Sequence, residues 1–265
     1  MNDSVEQVLT HFAPITLEEM SAVKLMNRID SKYLVSQDRL PEILAYLTDG
    51  YFVQENVGRR IAHYNTLYYD TPDAQMYIAH HNQKLTRQKL RARIYCDTDT
   101  AFCEIKNKTN KKRTKKKRIG IEVSQFGRML EFDEPRRFVV ERLNYDVNTL
   151  VPQVENEFDR ITLVNRGKSE RLTIDMNIRF RNRHTEKNAE VPHLVIIELK
   201  QDGNIPSFFK RLLRDLRIRP YRISKYCLGT ILTNPDVKHN RFKKKLRYIE
   251  FLKSDQSSIK NMNEC

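Results

Sequence analysis

The chain has no tryptophan and only 7 glycines in 265 residues. Glycine-rich phosphate loops are missing with them: neither GxxxxGK[ST] nor GxGxxG occurs. The P-loop and dinucleotide-binding folds therefore have no support. No run of about 18 apolar residues is present, so no membrane-spanning helix is expected. The cysteines, Cys96, Cys103, Cys227 and Cys265, form no CxxC pair and no zinc-type cluster with histidine. Buried or idle thiols are the expected reading. His80 and His81 lie in a polar stretch and read as a solvated pair. The opening MNDSVEQVLTHFAP lacks a basic region followed by an apolar run. A secretory signal is not expected, which leaves the cytoplasm, including the inner face of the membrane.

Acids are in deficit. Asp+Glu number 34 against 48 Lys+Arg, a formal charge of +14. A balance of this size points to a polyanionic partner: nucleic acid, an anionic membrane or a phosphate chain. Nucleic acid is the least supported of these. The sequence has no RNP-type aromatic cluster, KH loop or zinc knuckle. There is also no Gly/Ser or Pro-rich linker, so one compact domain with helical ends is expected.

What the sequence does have is period-two alternation. It marks about eight strands, near 27–35, 60–70, 87–96, 101–108, 116–124, 154–163, 170–180 and 192–200. Helical patterns fall at 4–12, 37–48, 134–144, 206–217 and 236–253. So many strands with few helices between them argue for an antiparallel α+β fold.

The alternation puts charge on one face. Lys89, Arg91 and Arg93 oppose Leu90, Ala92 and Ile94. Glu104, Lys106 and Lys108 oppose Cys103 and Ile105, and Arg171, Thr173 and Asp175 oppose Leu172, Ile174 and Met176. Glu198 and Lys200 share a face, as do Arg28, Asp30 and Lys32. A single such strand reads as one solvated sheet face. Several of them, curled together, would enclose a lumen too polar to pack dry. Arg forks and Lys ammonium groups suit phosphate oxygens. Glu198 has two readings at this point, a salt-bridge partner or a ligand for a divalent metal.

In order, these strands carry RIDSKY (28–33), YNTLYYDTPD (64–73), KLRARIY (89–95), CEIKNK (103–108), KKKRIGIEVS (115–124), FDRITL (158–163), RLTIDMNI (171–178), VIIELK (195–200) and RISKY (222–226). The series resembles the VTC domain, the polyphosphate-polymerase branch of the CYTH-like triphosphate tunnel metalloenzymes. The resemblance implies an eight-stranded antiparallel β-barrel, the tunnel, with helices packed outside. It divides the chain into an N-terminal helical segment (1–20), the tunnel domain (21–232) and a basic C-terminal helix or tail (233–265). Lys32, Arg91, Arg93, Lys106, Arg160, Arg171 and Lys225 would be its catalytic phosphate ligands. Arg28, Lys89, Lys108, Lys200, Arg222 and Ser224 would bind substrate, together with Lys117 or Arg118, whose register is open. Glu198 would hold Mn²⁺ or Mg²⁺.

The implied activity is metal-dependent transfer of the γ-phosphate of ATP to a growing polyphosphate chain. Hydrolytic members of the superfamily open with ExExK, whereas this chain has Arg28, Asp30 and Lys32 in those places. A missing acid favours transfer over hydrolysis. A triphosphate or tripolyphosphate hydrolase and a non-catalytic polyanion binder are the alternatives. The run 105–118 holds nine Lys/Arg and no acid, and reads as a hairpin tip that attracts polyanions. The tail KHNRFKKKLRYIEFLK has an apolar side of Phe242, Leu246, Ile249 and Leu252 or Phe251. It reads either as a membrane-surface helix, giving a membrane or membrane protein as partner, or as a helix docked on the barrel.

Overall fold

The computed structural model describes residues 4–21, 28–111 and 114–262. Its strands are β1 (Ala13–Ile15), β2 (Arg28–Ser36), β3 (Tyr51–Gln54), β4 (Ala62–Asp70), β5 (Arg87–Tyr95) and β6 (Thr100–Lys108). They continue with β7 (Thr114–Ile121), β8 (Val151–Asn165), β9 (Glu170–Asn182), β10 (Asn188–Val191) and β11 (Leu194–Asp202). The helices are α1 (Val5–Thr10), α2 (Leu17–Ser21), α3 (Leu40–Ala45), α4 (Gln75–His81), α5 (Asp133–Val140), α6 (Phe208–Asp215), α7 (Lys225–Thr233) and α8 (Lys243–Met262).

Eight strands form one path in the order β2-β11-β9-β8-β4-β5-β6-β7, and every ladder along it is antiparallel. These are the strands that the alternation marks. The short β1, β3 and β10 and the helices α2, α4 and α7 are additions to the elements that periodicity marks. Five steps separate β6 from β11 on this path, roughly 24 Å on a flat sheet. Yet the charges of Lys106 on β6 and Glu198 on β11 act on one another. The sheet therefore curls, bringing its two ends toward each other.

It does not close into the expected barrel. Among the described residues no ladder joins β7 to β2. The physical reason lies on the free edge of β2, which is already taken. Tyr33 forms a bridge with Pro220, and the Tyr221 N–H donates to the Lys32 carbonyl at 2.6 Å. At the other end Thr114 to Arg118 of β7 are all exposed.

One face of the curled sheet is apolar. Ile161, Leu163, Leu172, Ile174, Ile197 and Leu199 pack there under α1, α3 and α6. Leu67, Leu90, Ala92, Cys103 and Ile105 pack under the α5 region. The other face is the charged one, and α7 lies on it, not outside. Gly229 makes that approach fit: a Cβ there would stand 2.4 Å from Phe180 Cδ1 and 2.8 Å from Val154 Cγ1. Asn177, at φ 53°, shifts the alternation of β9, so the lining changes from Arg171, Thr173 and Asp175 to the apolar Ile178 and Phe180.

The α8 helix docks on this same apolar end. Phe242, Ile249 and Leu252 are buried with Leu34, Leu194 and Ile196, and Leu246 packs against them. Phe251 points to solvent. The apolar side of the tail thus packs on the sheet, as the docked reading of this helix expects. Among the described residues no helix is long and apolar enough to cross a membrane.

Gly229→Ala is expected to destabilise the protein by about 1–3 kcal/mol through overpacking against Phe180 and Val154. Thermal unfolding should show a lower Tm. An unchanged Tm would mean that α7 is not seated as described.

Candidate active site

Strand register decides which side chains share the concave face. Lys89 lies opposite Lys106, Arg91 opposite Glu104, and Arg93 opposite Phe102. On the next strand Arg118 lies opposite Glu104 and Lys116 opposite Lys106. Lys117 lies opposite Ile105, which is buried under the α5 region. Period-two geometry therefore turns Lys117 to the outer face. Of the pair left open in the sequence, Arg118 faces inward, and Lys116 joins it. On the far wall Lys32 lies opposite Glu198, Lys200 opposite Arg171, and Arg160 opposite Asp175.

Three carboxylates stand among these cations, and each is held by two of them. Arg91 Nε and Nη2 reach Glu104 Oε2 at 2.7 and 2.5 Å, and Lys116 reaches Oε1 at 2.9 Å. Arg160 grips Asp175 with Nε at 2.5 Å and Nη2 at 2.8 Å, and Lys225 contacts the same carboxylate. Glu198 lies 3.0 Å from Lys32 and 3.5 Å from Lys200.

The electrostatics follow from burial and pairing. Burial pushes Glu104 upward, but Arg91, Arg93 and Lys116 outweigh it and hold the carboxyl below its usual range. Burial likewise opposes ionisation of Asp175, and Arg160 and Lys225 overcome it. Glu198 is buried too, and Lys200, Lys32 and Lys106 hold it well below the usual value.

The surplus cations show the opposite strain. Burial pushes Lys200 down to about 8, with Glu198 resisting. The charge of Arg91, then burial, pushes Lys106 well below an ordinary lysine. Arg93 is lowered to about 10 by burial and by Arg91 and Arg160. Positive charge is crowded here beyond what the acids neutralise. A multivalent anion relieves that crowding.

The N-terminus of α7 adds to the site. The Ser224 hydroxyl accepts from the Cys227 N–H as the helix cap, and from Lys89 Nζ at 2.7 Å. Lys225, the first residue of α7, sits 3.5 Å from the Phe158 ring centroid. Phe158 stacks on Tyr64 at 5.2 Å and 9°. Arg93 and Arg160 lie over the same two rings, between 5.0 and 5.7 Å. This aromatic floor carries cations without using their N–H groups.

Glu198 was the residue expected to hold a metal. Among the described residues no group of three or more His, Cys, Asp or Glu side chains gathers in one place. The donor set does not fit a preformed protein cage. It fits a divalent ion that arrives with phosphates, since Mg²⁺ is commonly held by one or two carboxylates plus phosphate oxygens.

The remaining candidates are placed as follows. Arg28 begins β2, but its side chain lies outside the described residues. Lys108 lies opposite Arg87 at the end of the β5–β6 ladder. Arg222 is exposed, three residues before α7. Glu104, Asp175, Tyr64 and Phe158 join the site without having been assigned a role in it, and Lys116, read only as part of the run that attracts polyanions, joins them on Glu104. The signal for the two acids was their place on the charged faces. Nothing in the sequence tells which cations pair with them.

Comparison with curated proteins returned no match. Among solved structures, a candidate adenylate cyclase from Bacillus halodurans is similar with TM-score 0.51 and 14% identity, covering 75% of this chain and 96% of that one. At that identity the likeness concerns the fold. A candidate adenylyl cyclase from Hippeastrum, reported with a dominant triphosphatase activity, gives TM-score 0.46 and 16% identity over 77% of this chain and 95% of that one. The VTC domain profile matches residues 27–234, which is most of the chain and nearly all of the curled sheet, and the chain belongs to the VTC domain family.

Proposed function

We propose that the chain is a polyphosphate polymerase, which transfers the γ-phosphoryl group of ATP to the end of a phosphate chain. The observation that carries this reading is the concave face, where three clasped carboxylates leave a surplus of buried cations. Phosphoryl transfer asks mainly for positioning and charge neutralisation, and no covalent nucleophile is needed from the protein.

A terminal oxygen of the acceptor chain attacks the γ-phosphorus in line. The bond from that phosphorus to the β–γ bridging oxygen breaks, and the electron pair leaves with ADP. The acceptor becomes one phosphate longer. Arg91, Arg93, Arg160 and Arg171 present guanidinium groups to the phosphate oxygens. Lys32, Lys106, Lys116, Lys200 and Lys225 supply compact positive charge. Arg118 and Lys89 extend the cationic lining along β7 and β5. Ser224, as the α7 cap, positions Lys89. Glu198 would hold Mn²⁺ or Mg²⁺, and the ion would neutralise charge on the transferring group.

Transfer is favoured over hydrolysis by the acids that are present. The β2 segment offers Asp30 alone beside Lys32, and Glu104 and Asp175 are each clasped by two cations. Few carboxylates remain to hold and orient an attacking water. Incubation of purified protein with ATP and Mn²⁺ or Mg²⁺ is expected to yield long phosphate chains and ADP. Orthophosphate alone would mean a hydrolase instead. Neither product would leave a polyanion-binding protein.

Arg93→Ala is expected to lower turnover by about 2–4 kcal/mol in barrier, the cost of removing a buried donor from a developing anion. Near-normal turnover in a folded variant would contradict the assignment.

Lys200 supplies a pH test. Its ammonium, pushed down to about 8, is charged below that pH and neutral above it. Tripolyphosphate affinity should therefore fall as pH rises through 8. Lys200→Met should bind more weakly at pH 7 and lose that inflection, as measured by calorimetric titration.

A further inference from the structure

The cations just described stop at the level of Lys89 and Lys106. The lining does not. One strand step further, Arg87 and Lys108 face each other at the end of the β5–β6 ladder. The C-terminus of α4 joins β5 there: the Gln83 N–H donates to the His80 carbonyl, and the Lys84 N–H to that of Ala79. The start of α8 closes the corner, with Lys245 lying 4.7 Å over the Phe242 ring. Phe242 in turn packs on Tyr77 and His81 of α4.

This corner differs from the rest of the site in its chemistry. Glu104, Asp175 and Glu198 balance the cations along the walls. Among the described residues, Arg87, Lys89 and Lys245 form no ion pair with a carboxylate. Lys89 donates to the Ser224 hydroxyl, and Arg87 to the Lys84 carbonyl. Between them His80 Nδ1 is buried without a hydrogen-bond partner. Burial, then the charges of Lys89 and Arg87 on β5, Lys245 on α8 and Lys108 on β6, hold its imidazole far below the ordinary value. Arg222, ahead of α7, adds its charge to Lys245.

A buried, unpartnered nitrogen beside three cations without acids is costly unless something anionic enters. Four residues of β5 separate Arg87 from Arg91, about 13 Å along the strand. That exceeds the length of a triphosphate. We propose that His80, Arg87, Lys89 and Lys245 form a second anion site, which receives the far end of a linear phosphate chain whose near end lies among the cations around Glu198 and Asp175. The proposal rests on the phosphate-chain reading of the tunnel and gives that chain its direction, from Glu198 toward α8. The buried His80 Nδ1 gains a hydrogen-bond partner when the chain arrives.

The test compares tripolyphosphate with a long-chain linear polyphosphate, using the full chain and the variants Lys245→Gln and His80→Gln. Each variant is expected to weaken long-chain binding on the order of tenfold, the scale of a lost charge-assisted hydrogen bond. Tripolyphosphate binding should be unchanged. Wild-type protein that binds both ligands, with variants that bind the long chain equally well or weaken both ligands alike, overturns this site and leaves the tunnel reading standing. Wild-type protein that binds neither ligand overturns both.

Discussion

The site depends on carboxylates that are each shared by two cations. A buried cation alone is costly, and so is a buried acid. Glu104, Asp175 and Glu198 make a crowd of lysines and arginines tolerable without neutralising it. The pairs span different elements. Glu104 ties β5 to β7, Asp175 ties β8 to α7, and Glu198 ties β2 to its own strand β11. The curl of the sheet and the seat of α7 are thus held by the contacts that define the charged lumen. Removing one acid would release two cations and loosen two elements together.

The apolar end of the same face explains why the lumen stays defined. Tyr226, Cys227, Leu228 and Ile231 of α7 pack on Val154, Ile178 and Phe180, and α8 covers Leu34, Leu194 and Ile196. Asp70 anchors this packing: its carboxylate accepts from the Thr71, Met76 and Tyr77 N–H groups and from the Tyr226 hydroxyl. One surface of the sheet is therefore split into a dry half and a charged half. The helix that fills the first presents Ser224 and Lys225 to the second.

Much of this was legible in the sequence, for a specific reason. Lys and Arg alternating with Ile and Leu give a contrast that few other strand compositions match, so the eight long strands stand out. The α7 segment KYCLGTILT is apolar on nearly every side, so it has no 3.6-residue contrast to mark it as a helix. The run KKKR has no alternation at all, and only the ladder with β6 tells Lys116 from Lys117. Asn177 reverses the facing of β9 through one left-handed residue, which leaves no pattern to read. The pairing of Glu104 with Arg91 and Lys116 needs cross-strand register, which a single sequence does not carry.

The exposed edge of β7 has a consequence of another kind. An unpaired strand offers a ladder of N–H and C=O groups to any other strand, including that of a second copy. Here the edge carries Lys115, Lys116, Lys117 and Arg118 in succession, all exposed. Two such edges repel one another before their backbones can meet. The open side of the sheet is thereby protected from strand-to-strand aggregation by side chains that leave it accessible to anions.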